Sequence, residues 1–388
     1  MAPLAADLLR STSVIEPKAQ RFVALDSLRG LAALAVVYYH MGDFGWVAGL
    51  APFRYGWMLV DFFFVLSGFV IAASYGGRLA RGYPRGRFML VRLGRVYPLH
   101  IATVAGFVAL EFLVFRPLLH EAHPLSELVR GVFLLDAFVR GAGNFFAPVS
   151  WAVAVEIVVY ALAAALFGRG RWALALTIAL ALASAWALYT GFNVIGFGRL
   201  LQRGLLGFPI GVACYAIHQH MRGIEPGAAL LSLAECVLMA ALVTLLCLPG
   251  KTAAWLPATD VLFAIMVLVF ARDGGIASRV LQARPLVTLG RLSFALYMVH
   301  LFFVIVPNRF LPRLFAAMGH ADWIRPGRHT FGLLSVNPPP LIATLITLGL
   351  TALALAAAWL AWRFIEEPAR QWTRRLAPPA PAPSVAPI

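Results

Sequence analysis

Charge is scarce in this chain. Asp, Glu, Lys and Arg make up 13% of its 388 residues, and apolar residues 61%; ordinary soluble domains carry about 25% and about 45–50%. With a mean hydropathy of +0.82, this excludes a soluble globular protein and indicates an integral membrane protein. Acidic residues are scarcest: 17 Asp and Glu stand against 32 Lys and Arg, a net charge of +15. In a polytopic membrane protein that surplus belongs to cytoplasmic loops and bound phosphate groups, not to nucleic acid. Cysteine is nearly absent. Cys214, Cys236 and Cys247 stand alone in apolar runs, and their odd number and lack of CxxC spacing argue against a disulfide framework or a metal site. Buried packing is their expected role. Residues 1–20 show no signal-peptide pattern, because Asp7, Glu16, Pro17 and Lys18 interrupt any apolar core. No internal repeat is apparent.

Long apolar runs are what the chain does have. A span needs about 20 mostly apolar residues. Ten candidates lie near 26–42, 55–75, 96–115, 149–168, 172–190, 199–217, 228–248, 254–271, 286–306 and 341–364. The expected fold is therefore all-α, a bundle of about ten transmembrane helices. Residues 1–20 form an N-terminal cytoplasmic segment, 21–372 the membrane domain, and 373–388 a Pro/Ala-rich disordered tail. The stretch 125–140 is shorter and more polar, and reads as re-entrant or interfacial. With the N-terminus inside, the inner loops hold roughly twice as many basic residues as the outer ones, which favours both termini in the cytoplasm. The densest basic loop, "GGRLARGYPRGRFMLVRLGR", then faces inward with Arg87, Arg92 and Arg95.

Ionisable side chains inside a membrane are costly and default to function. In "LDSLRGLAALAVVYYH", Arg29 and His40 are eleven positions apart, three turns plus ~20°, so they share a face about 16.5 Å apart along the helix. Measured from the span edges, Asp61, Glu156 and His300 fall with His40 in one layer roughly 10 Å below the outer face. Arg291 falls near the inner face with Arg29. A neutral histidine beside a carboxylate can act as a general base towards a hydroxyl, the carboxylate orienting the ring. Asp61 and Glu156 are the candidate carboxylates. Tyr160 shares the face of Glu156 at i+4, and Ser293, Tyr297 and His300 share another at i, i+4 and i+7. Each also has a plainer reading: a packed histidine, an interhelical polar pair, a snorkelling arginine, a loop that only sets topology.

These residues sit in motifs. "LDSLRGLAALAVVYYH", "VDFFFVLSGFVI", "RLGRVYPLH", "SWAVAVEIVVY", "LGRLSFALYMVH" and "FIEEPAR" follow one another from Asp26 to Arg370. In this order the chain resembles the acyltransferase-3 family of bacterial integral membrane O-acyltransferases. Ala152 and Val153 stand where that family usually has Ser and Leu, and Phe294 where Tyr is common. The resemblance implies an enzyme of the cytoplasmic (inner) membrane with ten spans around a cavity open to the cytoplasm. It implies an acyl-CoA co-substrate, usually acetyl-CoA, no permanently bound cofactor, and transfer to a hydroxyl of an envelope glycan or glycosylated acceptor. Arg29 and His40 match the family's essential pair, Glu156 its glutamate, and Arg92 and Arg95 its basic motif.

The two readings agree. Guanidinium forks suit the phosphates of coenzyme A, so Arg29, Arg92, Arg95, Arg87 and Arg291 are expected to hold that head. The pantetheine arm would run up the bundle and bring the thioester to His40. Direct attack by a hydroxyl deprotonated by His40, and an acyl-enzyme relay, both remain open, the first preferred because no Ser or Cys nucleophile stands out near His40. The long segment Val306–Pro340 is a candidate contributor to an external acceptor site. The competing reading is a proton-coupled secondary transporter of a sugar or amphiphile, with His40, Asp61 and Glu156 as its relay.

Overall fold

The computed structural model describes residues 21–42, 44–119, 123–138, 144–192, 198–324 and 336–376, and these are almost wholly helical. Among them there is no strand; one isolated bridge joins Ile324 to Val336. The main helices are α1 (Val23–Met41), α2 (Leu59–Ile71), α3 (Arg85–Leu110), α4 (Ser150–Leu166), α5 (Gly170–Thr190), α6 (Arg199–His220), α7 (Ala228–Cys247), α8 (Leu256–Phe270), α9 (Arg284–Val299), α10 (Phe302–Ala317), α11 (Pro340–Ala361) and α12 (Glu367–Leu376).

Helices stand at all ten expected places. Seven are long and apolar enough to cross a membrane, or eight if α9 and α10, bent by 51° at their junction, count as one span. α1 falls short because Asp26, Arg29 and His40 dilute its apolar run. α4 falls short in length, 17 residues, about 25 Å. The segment from Val306, expected as a loop, is helical as far as Ala317, and residues 325–335 lie outside the described residues. Residues 373–376, expected in the tail, close α12, where Thr373 is buried against Gly94 of α3; the rest of that tail lies outside the described residues. Both chain ends, and with them the expected cytoplasmic termini, lie outside the described residues. Of the cysteines, only Cys214 is buried; Cys236 and Cys247 are exposed on α7.

Two close helix pairs position the interior. α1 and α9 run parallel and meet at Gly30 and Gly290, where a Cβ on Gly30 would lie 2.6 Å from the Gly290 nitrogen. α2 and α6 meet in the same way at Gly68 and Gly211, where a Cβ would overlap the opposite backbone. Small residues are what allow membrane helices this approach. Helix ends are satisfied by distant carboxylates. Asp273 accepts from the Val23 and Ala24 N–H groups (3.2 and 2.9 Å) at the start of α1. Glu235 of α7 accepts from Gly275 (3.1 Å) and Ser278 (2.9 Å) at the short helix Ile276–Leu281, and also from the Ser278 hydroxyl. At the end of α1, Gly42 (φ 66°) turns the chain and donates to the Tyr38 carbonyl at 3.1 Å. Two π-helical turns, Ala72–Gly76 after α2 and Trp362–Glu366 after α11, re-aim side chains towards the interior. The polar stretch 125–140 carries a short helix, Leu125–Val132, tied to α3 by His100 on the Gly131 carbonyl (2.9 Å) and Tyr97 on the Val132 carbonyl (3.0 Å).

Candidate active site

Two cavities meet inside the bundle. The wider, about 690 Å³, lies between α1, α3, α9, the π turn Trp362–Glu366 and α12 and is lined mainly by arginine, with Asp26, Glu366 and the aromatic side chains of Tyr75 and Trp362 among its other walls. The narrower, about 90 Å³, runs between α1, α2, α3, α4 and α9, with Ser67, Glu156, Tyr160, Ser293 and Tyr297 among its walls. Arg29, Arg92 and Arg95 line both. They form the rim where a broad vestibule narrows to a slot.

Each rim residue is held differently. The Arg29 guanidinium donates to Ser293 Oγ (2.8 Å) and the Gly290 carbonyl (2.9 Å), with Asp26 at 3.7 Å. The Gly30–Gly290 approach makes this reach possible. Arg92 is buried, with its guanidinium over Tyr75 (4.7 Å) and Tyr160 (5.6 Å), and its Nε has no hydrogen-bond partner. A buried guanidinium that keeps a free N–H is poised for an anionic ligand. Glu156 accepts from the Tyr160 hydroxyl, which also lies 3.4 Å from Ser67 Oγ. Glu366, delivered by its π turn, lines the vestibule near Arg29 and Arg95 and leaves Oε2 unpartnered.

Beyond the slot lies a pair of histidines. His40 and His300 face each other with ring centroids 4.9 Å apart, and His300 Nε2 is 3.2 Å from His40 Nδ1. His300 is fully buried and His40 only half-buried. Tyr297, a wall of the slot, is in ring contact with His300 at 5.9 Å. Arg291, Ser293, Tyr297 and His300 thus lead up α9 from vestibule to histidines, beside Arg29 and His40 on α1.

The expected layer of four polar groups does not stay together. Asp61 is fully buried against Arg203 of α6, whose Nε lies 3.1 Å from both carboxylate oxygens and whose terminal nitrogen lies 2.5 Å from Oδ2. Arg203 also donates to the Trp57 carbonyl (2.8 Å) and sits over Trp151 (4.9 Å). Asp61 is therefore a helix-to-helix partner rather than a carboxylate for His40, and equal depth in two spans did not mean a shared azimuth. Glu156 lies among the rim arginines, with Tyr160 as its partner, so the ring partners of His40 are His300 and the Val36 carbonyl. Arg291 lines the vestibule. Arg87 lies over the Tyr83 ring at 5.3 Å, and is among the walls of neither cavity.

Three residues that sequence reasoning left without a role stand out. Arg203 was visible as a charge within a span, but its partner lies 142 positions away. Asp260, on α8, is fully buried with both oxygens unpartnered, close enough to Asp61 and Arg203 for electrostatic coupling. Glu366 lay in plain view in "FIEEPAR"; only the π turn brings it to the arginines.

An all-helical membrane body with a cationic vestibule opening onto a buried polar slot defines a multi-pass membrane protein with an internal cavity. The chain belongs to the acyltransferase-3 family: the model described as "Acyltransferase domain" matches residues 22–363, nearly its whole length. It is also similar to "Protein 2 in picA locus" of Rhizobium radiobacter, 33% identical over 160 residues, which covers 37% of this chain and 82% of that protein. No solved structure matches it. The family makes this protein an acyltransferase.

Proposed function

We propose that the protein is an acyl-CoA-dependent O-acyltransferase that moves an acyl group, acetyl foremost, to a hydroxyl of a glycan or glycosylated acceptor at the inner membrane. The observation that carries this reading is the junction of vestibule and slot at Arg29, Arg92 and Arg95. A vestibule of about 690 Å³ suits a phosphorylated nucleotide head, with guanidinium groups for its phosphates and Tyr75 and Trp362 for its base. A slot of about 90 Å³ suits only a thin arm such as pantetheine. The tendency of basic residues to stay inside favours a vestibule open to the cytoplasm, where acyl-CoA is found. Glu156 can accept an amide N–H of the arm, and Ser293, already bonded to Arg29, fixes the rim.

The thioester then lies near His40. His40 Nε2 takes the proton of the acceptor hydroxyl as its oxygen attacks the thioester carbonyl. The C–O bond forms, the C–S bond breaks, and the thiolate leaves with that proton as free CoA. Direct attack is favoured over an acyl-enzyme because both serines of the slot are engaged, Ser293 with Arg29 and Ser67 with the Tyr160 hydroxyl.

The test is CoA release by purified protein in nanodiscs, with acetyl-CoA and longer donors and an envelope-glycan extract as acceptor. Release should vanish in His40→Ala, and the donor KM should rise in Arg29→Ala. Background release in wild type together with failure to bind donor would return the transporter reading to first place.

A further inference from the structure

The two histidines carry more information than their proximity. His300 Nδ1 lies 2.7 Å from the Tyr297 carbonyl, and His40 Nδ1 lies 2.9 Å from the Val36 carbonyl. A carbonyl oxygen can only accept. Each Nδ1 must therefore carry a hydrogen, an assignment made from the bonding pattern. In the neutral rings both Nε2 atoms are then bare. His300 Nε2, 3.2 Å from His40 Nδ1, directs its lone pair at the His40 N–H, which is shared between Val36 and His300 in a three-centre bond. The opposite tautomer of either ring would set a lone pair against a carbonyl oxygen. The chain Tyr297 carbonyl, His300, His40 thus has one consistent arrangement.

We propose that His300 is the positioning residue of the active site: together with the Val36 carbonyl it holds His40 as the Nδ1–H tautomer and so presents the bare Nε2 as the base. This rests on the acyltransferase reading and deepens it. Neither Asp61 nor Glu156 orients the ring; a second, neutral histidine takes the place a carboxylate holds in hydrolase triads. When Nε2 takes the acceptor proton, His40 becomes an imidazolium, and its Nδ1–H bond to His300 Nε2 becomes charge-assisted and stronger. That interaction grows as the proton moves, so it favours the transition state over the ground state. Burial suits the role: His300 is fully buried, whereas His40 is only partly so. The bend of 51° between α9 and α10 falls beside His300, where an uninterrupted helix would continue.

The test uses the full chain in nanodiscs with two readouts. Spectra of protein labelled with 15N-histidine report which ring nitrogen carries hydrogen and need no turnover. His40, identified by its loss in His40→Gln, should show a protonated Nδ1 and a bare Nε2 in wild type, and a partial shift towards the Nε2–H tautomer in His300→Ala, where the Val36 carbonyl is the remaining acceptor. In turnover, His300→Ala should lower kcat on the order of 10²-fold with donor KM unchanged. His300→Gln, whose amide oxygen can still accept from His40, should recover about tenfold of that loss. A wild-type His40 with its proton on Nε2 overturns the proposal whatever the variants do. So does a His300→Gln no more active than a folded His300→Ala, or a loss confined to KM. The expected spectrum in a protein that consumes no acyl-CoA would sink the acyltransferase reading and, with it, the catalytic role of His300, while leaving the tautomer assignment intact.

Discussion

The Asp61–Arg203 pair makes a quantitative prediction because a third ionisable group, Asp260, lies beside it. Asp61 holds Arg203 through three contacts of 2.5–3.1 Å, and all three residues are buried. Removing one partner of a buried ion pair costs about 3–5 kcal/mol because the other charge is stranded. In Asp61→Asn, however, Arg203 keeps the Trp57 carbonyl and gains Asp260 as a replacement counter-ion. We expect a loss of about 1–2 kcal/mol there, of the order of one lost hydrogen bond. Asp260→Asn removes a carboxylate with no hydrogen bonds and should cost about 0.5 kcal/mol or less, like a substitution without a named mechanism. The double variant leaves Arg203 with no carboxylate and should cost about 3–5 kcal/mol, a coupling of about 2 kcal/mol. Reversible unfolding in mixed micelles measures all four corners of this cycle. Additive single effects would refute the spare counter-ion. Separately, Asp61→Asn should keep its turnover per folded molecule. A well-folded but inactive Asp61→Asn would return Asp61 to the chemistry.

Three further outcomes are expected. Arg92→Lys replaces a planar group stacked between Tyr75 and Tyr160 with a point charge, so the donor KM should rise about tenfold with kcat little changed, read from initial rates. Gly30→Ala forces a methyl against the Gly290 backbone; separation of α1 and α9 should cost about 1–3 kcal/mol in the same unfolding assay and lower turnover by moving Arg29 off Ser293. Glu235→Ala strips the cap from Ile276–Leu281 and should cost about 1–2 kcal/mol, with faster hydrogen exchange at Gly275 and Ser278 and an unchanged donor KM.

The sequence determined a good deal. Scarce charge and long apolar runs specify a helical membrane body, and helix stands at each expected place, though among the described residues only seven or eight segments are long and apolar enough to cross a membrane. The spacing of Arg29 and His40 put both on one face of α1, and they do follow one line, from the vestibule rim to the histidine pair. The expected boundaries gave way where local pattern is ambiguous: α10 and the end of α12 continue helical chain that composition read as loop and tail.

Although Glu156, expected level with His40, lies among the rim arginines, separation along one helix was legible, as for Arg29 and His40, because a helix rises by a fixed amount per residue. Partnership across helices was not. Asp61 and His40 lie at similar depths by sequence, yet Asp61 turns to Arg203, and His40 finds His300, 260 positions away. Periodicity fixes which face a residue occupies on its own helix. It carries nothing about which neighbour that face meets. The glycine contacts of α1 with α9 and α2 with α6 decide that neighbour. Tertiary packing alone therefore joined the arginine rim to the slot, gave His40 a histidine in place of a carboxylate, and moved Asp61 from the candidate chemistry to the scaffold.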